Sequence, residues 1–360
     1  MKTFGKWLVG LILILWGGWM LLYLTSSNEI DTSSLPPNIT DMHVHTAGLG
    51  YGGSGCFISD TMRQSYKFDI YMEAFGTSAQ ELETEGDQLV MKKISQYVAD
   101  SKYISKALVL ALDGVVDEQG NLDRTKTEVY FPNDFVGQEA LKYPNLLFGA
   151  SINPNRHDWR DRLEKAVQME AKLIKWIPSI QGIDPADPKV IPFYQELVRL
   201  NLPLLSHTGS EKSFTHARDE LADPIRLKLP LSLGVKVIAA HVATTGENEG
   251  IPDIQRLLQI VDKYPNLYAD ISSLTQINKY FFWDDVFREQ TLNDRLLYGS
   301  DFPLSNTILV SPIHRVLHIP PGKIRAILRE QNPFDRDVLY KLAMGVSPDI
   351  FSRFDRVIQE

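Results

Sequence analysis

The chain has 360 residues, of which 44% are apolar and 23% are charged, and this composition is typical of a globular protein. Its formal net charge is −8 and it contains no long basic run, which argues against nucleic acid as a partner. The single cysteine, Cys56, excludes an intrachain disulfide framework and any multi-cysteine zinc or iron–sulfur site. A metal in this chain would therefore need nitrogen and oxygen ligands.

The N-terminus carries an uncharged, almost wholly apolar run over residues 7–24. As a helix it would span about 27 Å, close to the hydrocarbon thickness of a bilayer, so we predict a transmembrane helix or signal anchor. Lys2 and Lys6 precede the run, and the positive-inside rule then places residues 1–6 in the cytoplasm and the rest on the extracytoplasmic side, periplasmic in a bacterium. A cleaved signal peptide is the alternative, although no A-x-A site follows. Residues 25–37 are predicted to be a linker and residues 38–360 the globular domain.

Beyond the linker, short runs rich in Val, Ile and Leu alternate with longer amphipathic stretches, which predicts an α/β fold with a buried parallel sheet. In chain order, the predicted strands are 39–45, 107–113, 145–152, 171–177, 203–207, 235–241, 266–271 and 295–301. Helices are predicted at 62–75, 89–101, 157–170, 191–201, 251–263 and 277–290, with further helices packed under or beside the sheet in 335–358. Eight strands with intervening helices indicate a distorted (β/α)8 TIM barrel.

Two insertions enlarge this pattern, one after the first strand (46–105) and one after the second (114–132). The first begins with a glycine-rich run at 48–53 that matches G-x-G-x-x-G. Because a histidine pair precedes it, we interpret the run as a loop near the active site or substrate and not as a nucleotide site. The helices at 62–75 and 89–101 are predicted to form a lid. The two insertions are expected to determine substrate choice.

Polar side chains recur about once per β/α unit, at or near the carboxyl end of each predicted strand. These residues are His45, Asp113, Asn153, Lys175, His207, His241, Asp270 and Asp301. Active sites of β/α barrels lie at that face, and a ring of inward-facing polar groups fits a closed barrel better than an open sheet.

The strand-end residues have the properties of a metal site. His43 and His45 are two residues apart, so in a strand both imidazoles point to the same side and can reach one ion. Lys175 lies within a strand that should be buried on both faces, and burial favours a neutral amine. A neutral amine can react with carbon dioxide to form a carbamate that bridges two cations, so carboxylation of Lys175 is one alternative. The other is a lysine whose amine extends out of the barrel to solvent or pairs with an acid.

The segments around His43 and His45, Lys175, His207, His241 and Asp301 resemble those of the amidohydrolase superfamily, in particular its amidohydrolase-related branch, also called amidohydrolase family 2. The resemblance implies a distorted β/α barrel with one or two divalent metals. In binuclear members, it implies that the first ion is held by His43, His45 and Asp301, the second by His207 and His241, with Lys175 as the bridge. In mononuclear members, it implies one ion on His43, His45, His207 and Asp301, with His241 orienting substrate or water.

Imidazole and carboxylate ligands suit zinc, with iron, nickel and manganese as alternatives, and a divalent ion lowers the pKa of a bound water toward neutrality. We expect Asp301 to act as general base and acid and His241 to polarise a carbonyl, with Asp270 orienting a ligand imidazole. The predicted reaction is hydrolysis of an amide, ester or lactone-type bond in a small molecule. No substrate-binding residue could be assigned.

Two other functions compete with this prediction. One is a metal-dependent decarboxylase or hydratase on the same barrel, with Arg156 and Arg160 available to bind a carboxylate. The other is a membrane-tethered binding protein without catalysis, which should have lost ligands, whereas this chain retains the full set. Among the remaining polar residues, His216 and Arg218 follow the fifth predicted strand and are candidates for substrate contact.

Overall fold

The computed structural model describes residues 2–359 and, within the first helix, the side chains of residues 7 and 10–25. Its strands are β1 Ile39–His45, β2 Phe57–Ile58, β3 Ile104–Leu110, β4 Val129–Tyr130, β5 Leu146–Gly149, β6 Ile174–Trp176, β7 Leu204–His207, β8 Val237–Ala240, β9 Glu247–Asn248, β10 Ile251–Pro252, β11 Leu267–Asp270 and β12 Leu296–Leu297. Its helices are α1 Lys2–Thr25, α2 Asp60–Arg63, α3 Tyr66–Ala74, α4 Ala79–Glu85, α5 Gln88–Ala99, α6 Asn133–Ala140, α7 Trp159–Gln168, α8 Pro178–Gln181, α9 Ile191–Arg199, α10 Lys228–Ser232, α11 Asp253–Val261, α12 Trp283–Arg288, α13 Gln290–Asn293, α14 Pro321–Arg329, α15 Pro333–Ala343 and α16 Arg353–Gln359.

Eight parallel strands form a closed barrel. One sheet has the order β1-β3-β5 and the other the order β12-β11-β8-β7-β6. Single parallel bridges, Ala150 with Ile174 and Val44 with Phe302, join the sheets at both edges. Every predicted strand of the barrel overlaps an observed strand, because each is an apolar run buried on both faces. The predicted α/β fold and TIM barrel are therefore confirmed.

The barrel interior is filled by apolar side chains from successive strands and is closed at one end by α16. Phe354 and Val357 of α16 pack into this interior, and Thr40 Oγ1 of β1 donates a hydrogen bond to Asp355 Oδ1 at 2.8 Å. The strand residues of the interior are Met42, Leu108, Leu110, Leu173, Leu205, Ile238, Ala240 and Leu297. This packing matches the prediction that C-terminal helices lie under the barrel.

The two insertions meet next to the barrel. β2 of the first insertion pairs antiparallel with β4 of the second, with Phe57 opposite Tyr130 and Ile58 opposite Val129. The helix predicted over 62–75 is broken in two, because the Ser65 hydroxyl accepts a hydrogen bond from Lys67 N and starts α3 as a new helix. The insertions thus build one structure whose strands and helices border the carboxyl end of the barrel.

The predicted transmembrane helix is corrected by the structure. Among the residues that the structure describes, no helix combines the length and the apolar character that a membrane crossing requires. The C-terminal part of α1 packs on the globular domain, where Trp19 and Tyr23 join the cluster between α14 and α15. The guanidinium of Arg325 donates hydrogen bonds to the carbonyl oxygens of Tyr23 and, at 2.9 Å, of Ser26. The predictions of a transmembrane segment and of a single-pass membrane location are therefore wrong, and the membrane as a partner is unsupported.

Candidate metal centre

The candidate centre lies at the carboxyl ends of the barrel strands and combines the first strand with the last. The pairing of β1 with β3 shifts register between Asp41 and Val44, so His43 lies in an irregular part of the strand. A bulge of this kind redirects a side chain. Asp301 N donates to the carbonyl oxygen of His43 at 2.9 Å, which places the Asp301 carboxylate beside the imidazoles of β1.

Three of the predicted ligands converge closely. His43, His241 and Asp301 each offer one ligand atom within 4.8 Å of the others, and all three residues are buried. His45 joins them, with its Nε2 at 3.2 Å from Asp301 Oδ1, and His43 Nε2 lies at 3.6 Å from the same oxygen. A set of imidazoles around one carboxylate is a donor set that suits zinc and other first-row divalent ions.

Lys175 and His207 lie at the edge of this cluster. Lys175 Nζ is 3.1 Å from His43 Nε2, and the ring centroids of His207 and His241 are 5.0 Å apart. His207 Nε2 is buried and has no hydrogen-bond partner within residues 2–359. A buried polar atom without a partner is costly unless a ligand or ion satisfies it. The structure therefore brings all six predicted ligand residues together, and this orphaned nitrogen fits a site that holds a cation.

The electrostatics favour the protonation states that a cation needs. Burial and the neighbouring Lys175 lower the pKa of His43 to about 4, and burial also lowers the pKa values of His207 and His241. Burial raises the pKa of Asp301, but the surrounding histidines outweigh it and lower this pKa well below its usual range. Neutral imidazoles and an ionised carboxylate are the forms that bind metal.

Asp270 orients the imidazole of His43, which is the role expected for Asp270 from the sequence. Its Oδ2 lies 2.8 Å from His43 Nδ1, and its Oδ1 accepts hydrogen bonds from the backbone N–H groups of His241 at 2.9 Å and Ser272 at 3.1 Å. With the Nδ1 proton directed to Asp270, the lone pair of His43 Nε2 faces the centre. A carboxylate partner of this kind fixes the tautomer and raises the basicity of a ligand imidazole.

The backbone at two of these residues is strained. His241 and Asp301 have φ angles of 60° and 64°, in the left-handed region that non-glycine residues seldom adopt. Each such residue costs about 1–3 kcal/mol and persists only where the surrounding structure holds it. These two strained residues, His241 and Asp301, are both candidate metal ligands.

A cavity of about 1100 Å³, its open mouth included, leads down to the cluster. Its polar base contains His45, Lys175, His207, His241 and Asp301. Its walls are mostly apolar and come largely from the two insertions, as expected from their position. The glycine-rich run is an exception: Thr46 and Ala47 line the cavity, but Asp87 accepts hydrogen bonds from the N–H groups of Leu49 and Gly50 and holds the run outside it.

Sequence reasoning missed several residues of the cavity. Lys279 and Ser273 follow β11, Glu211 follows β7, and Tyr71 lies on α3. Burial lowers the pKa of Lys279 to about 8 and raises the pKa of Tyr71 to about 12. Only their position in the chain could have indicated them, because Ser273, Lys279 and Glu211 each follow a strand that ends in a predicted site residue. No local sequence motif distinguishes them from other loop residues.

The arginines considered for substrate binding lie elsewhere. Arg156 Nε contacts Asp113 Oδ2 at 3.0 Å, with both side chains buried, and Asn153 N donates to the same oxygen at 2.8 Å. Arg160 is exposed and pairs with Glu196 at 3.5 Å. Asp113 and Asn153, two of the strand-end residues, are therefore occupied by structural hydrogen bonds.

Likewise, His216 and Arg218 are exposed and do not line the cavity described for residues 2–359. Arg218 pairs with Glu220 at 3.0 Å. The structure gives neither residue a contact with the candidate centre.

Several solved structures are similar to this chain at low sequence identity, and the first of them supports the barrel architecture. An uncharacterized TIM-barrel protein from Bordetella bronchiseptica has a TM-score of 0.52 and 15% identity, over 85% of this chain and 99% of that one. A probable 2-pyrone-4,6-dicarboxylic acid hydrolase from Acinetobacter baumannii, solved with citric acid bound, has a TM-score of 0.49 and 14% identity, over 89% and 95%. 5-Carboxyvanillate decarboxylase from Novosphingobium aromaticivorans, complexed with manganese and 4-hydroxy-3-methoxy-5-nitrobenzoic acid, has a TM-score of 0.47 and 12% identity, over 93% and 99%. The last two are too distant to carry an argument.

A comparison with curated proteins gives no match. The family model described as amidohydrolase, however, matches residues 41–329, a segment that begins two residues before His43 and extends past Asp301. The matched segment thus contains all the barrel strands except the first two residues of β1, together with all six candidate ligands, and the chain belongs to the amidohydrolase family.

Proposed function

We propose that this protein is a metal-dependent hydrolase that cleaves an amide, ester or lactone-type bond of a small molecule. The observation that carries the proposal is the convergence of His43, His241 and Asp301 at the base of a largely apolar cavity. Family membership supports an enzyme of this superfamily, which includes hydrolases and decarboxylases, and the site supports a divalent metal.

We assign His43, His45 and Asp301 to the first ion, with zinc as the favoured metal. His207, His241 and Lys175 would hold a second ion if Lys175 is carboxylated, and in a one-metal site His207 would complete the first set. When bound, a divalent cation acidifies a water molecule and polarises a carbonyl oxygen.

The chain's own groups would then move the proton. Asp301 accepts a proton from the attacking water as the water oxygen bonds to the carbonyl carbon. It returns that proton to the leaving oxygen or nitrogen as the scissile bond breaks. His241, whose Nδ1 lies 3.9 Å from Asp301 Oδ2, is positioned to orient the carbonyl. The apolar walls of the cavity limit the access of other water.

The first test is the metal content of the full-length protein after incubation with zinc or manganese, in parallel with His43→Ala and Lys175→Ala. His216→Ala is the matched control, since His216 is exposed and does not line the cavity. We expect His43→Ala to lose metal and His216→Ala to keep it. Two ions that fall to one in Lys175→Ala would support the bridged centre, and one ion retained in Lys175→Ala would support the mononuclear one. No metal uptake in any sample would contradict the enzyme and favour a binding protein.

The second test is a reaction screen with 4-nitrophenyl esters, anilides and aryl lactones that carry apolar acyl groups. Hydrolysis that depends on His43 and Asp301 would support the proposal. Release of carbon dioxide from aryl carboxylates, without hydrolysis of any ester, amide or lactone, would contradict it in favour of a decarboxylase.

A further inference from the structure

Lys279 is a buried cation next to the candidate metal centre and has no role in ligand binding as assigned above. It lies in the 3-10 helix Ile277–Phe282 that follows β11, is 6% exposed and lines the cavity. Its Nζ donates a hydrogen bond to Ser273 Oγ at 2.5 Å, and that hydroxyl lies 3.1 Å from Nδ1 of His241. The Ser273 hydroxyl therefore links the ammonium group of Lys279 to the imidazole of His241, a candidate metal ligand.

The ammonium group of Lys279 has unused hydrogen-bonding capacity. An ammonium has three N–H donors, and Ser273 is the one hydrogen-bond partner of Nζ among the described residues. Asp301, Asp270 and Glu211 stabilise its charge from a distance, without a hydrogen bond to it. Burying an ammonium with unpaired donors is unfavourable, so a cavity-lining lysine in this state is suited to an anionic acceptor that enters with the substrate.

The rest of the cavity is suited to an apolar molecule. Within the described chain, no arginine lines it, and Lys212 lies exposed at its mouth. The large apolar side chains of its walls include Met62, Phe68, Met72, Phe75, Phe131 and Phe214. Flexible methionines and aromatic rings can pack around aryl or alkyl groups of different shapes.

We propose that Lys279 binds a carboxylate of the substrate, and that the substrates are therefore apolar aryl or alkyl compounds with a carboxylate close to the scissile bond. This inference rests on the proposed function for the identity of the reacting centre. Lys279 is a specificity-determining residue in this proposal: it holds the charged end at the base of the cavity while the insertions hold the apolar body.

The test measures binding of 4-phenylbutanoate to the full-length protein by isothermal titration calorimetry, with 4-phenylbutan-1-ol as the uncharged probe. Titrations are made with manganese present and after chelation, on the wild type, Lys279→Met, Lys279→Arg and the control Lys263→Met, an exposed lysine two residues after the end of α11 that does not line the cavity described for residues 2–359. We expect Lys279→Met to weaken binding of the carboxylate at least tenfold in both metal states, with no change for the alcohol. Lys279→Arg should recover part of the affinity, and Lys263→Met should match the wild type.

Several results would overturn the inference. An unchanged affinity in Lys279→Met, an equal loss for acid and alcohol, or a loss produced by Lys212→Met instead would each place the carboxylate elsewhere or reveal a packing defect. Binding that disappears on chelation and ignores Lys279 would assign the carboxylate to the metal. A protein that binds the probe through Lys279 but takes up no metal would contradict the proposed function and still support this role of Lys279.

Discussion

The buried carboxylate of Asp270 lies 2.8 Å from His43 Nδ1 and orients its imidazole, with the Ser272 hydroxyl at 3.1 Å from the same nitrogen. We predict that Asp270→Asn weakens metal binding by about 10- to 100-fold, because an amide no longer supports the basicity of the imidazole. Competitive titration with a chromogenic chelator measures the affinity. Asp262→Asn, at an exposed position, serves as the control. An unchanged affinity in Asp270→Asn would mean that His43 does not bind the metal.

Asp253, the first residue of α11, gives a prediction for the pH dependence of stability. Burial raises its pKa to about 6; a hydrogen bond from Asn248 and the charge of Arg256 oppose the rise, and Asp223 adds to it. Because the folded state holds this proton more tightly than the unfolded state, the contribution of Asp253 is most favourable below pH 4 and is lost as pH rises through about 6.

The variant Asp253→Asn should therefore be more stable than the wild type at pH 8, by about 1–3 kcal/mol, with a smaller difference at pH 5. The asparagine keeps an oxygen that can accept the hydrogen bond from Asn248. Urea unfolding at the two pH values measures the difference. A variant that is equally stabilised at both, or destabilised at pH 8, would contradict the assignment.

Some of the site residues could be predicted from the sequence and others could not. His45, His207 and Asp301 end apolar runs, so alternation of residue types alone placed them at one face of the barrel. Lys279 carries no such signal, since it lies among polar and aromatic residues of a short 3-10 helix. Its burial arises from tertiary packing over the cavity, which no local pattern encodes.

At the level of elements, one substitution can test whether α16 closes the end of the barrel. Phe354 is 1% exposed and packs against side chains from several barrel strands. We predict that Phe354→Ala destabilises the protein by about 3–5 kcal/mol, because a large cavity remains at the base of the barrel. Phe281→Ala is the matched control, since Phe281 is 82% exposed. Chemical denaturation that finds similar losses for both variants would show that α16 does not seal the barrel.

The barrel strands were predictable, whereas other elements depended on context. Hydrophobic periodicity located all eight barrel strands, yet it joined α2 and α3 into one helix because it is insensitive to the Ser65 cap. The run at 7–24 predicts a membrane helix from its length and apolar composition. Hydropathy does not register that Trp19 and Tyr23 pack against the globular domain or that Arg325 binds the end of α1.

For the whole molecule, the proposed metal should act as a stabilising ligand. A cation that binds only the folded state adds about 2.7 kcal/mol at a free concentration one hundred times its Kd. We therefore predict that the midpoint of thermal unfolding falls on chelation and rises with added zinc or manganese, in a concentration-dependent way. Differential scanning calorimetry measures the midpoint. The shift should vanish in His43→Ala, and a shift of equal size in that variant would indicate binding outside the proposed centre.

The bridge between Val44 and Phe302 closes the barrel within two residues of candidate ligands on both sides. The ligands assigned to the first ion therefore come from opposite ends of the barrel in the order of synthesis. On the ribosome, His43 and His45 emerge early, but the site is incomplete until Asp301 has left the exit tunnel and β12 has docked. Capture of the proposed metal would thus come late in synthesis, and a chain that stops before β12 would carry His43 and His45 without Asp301.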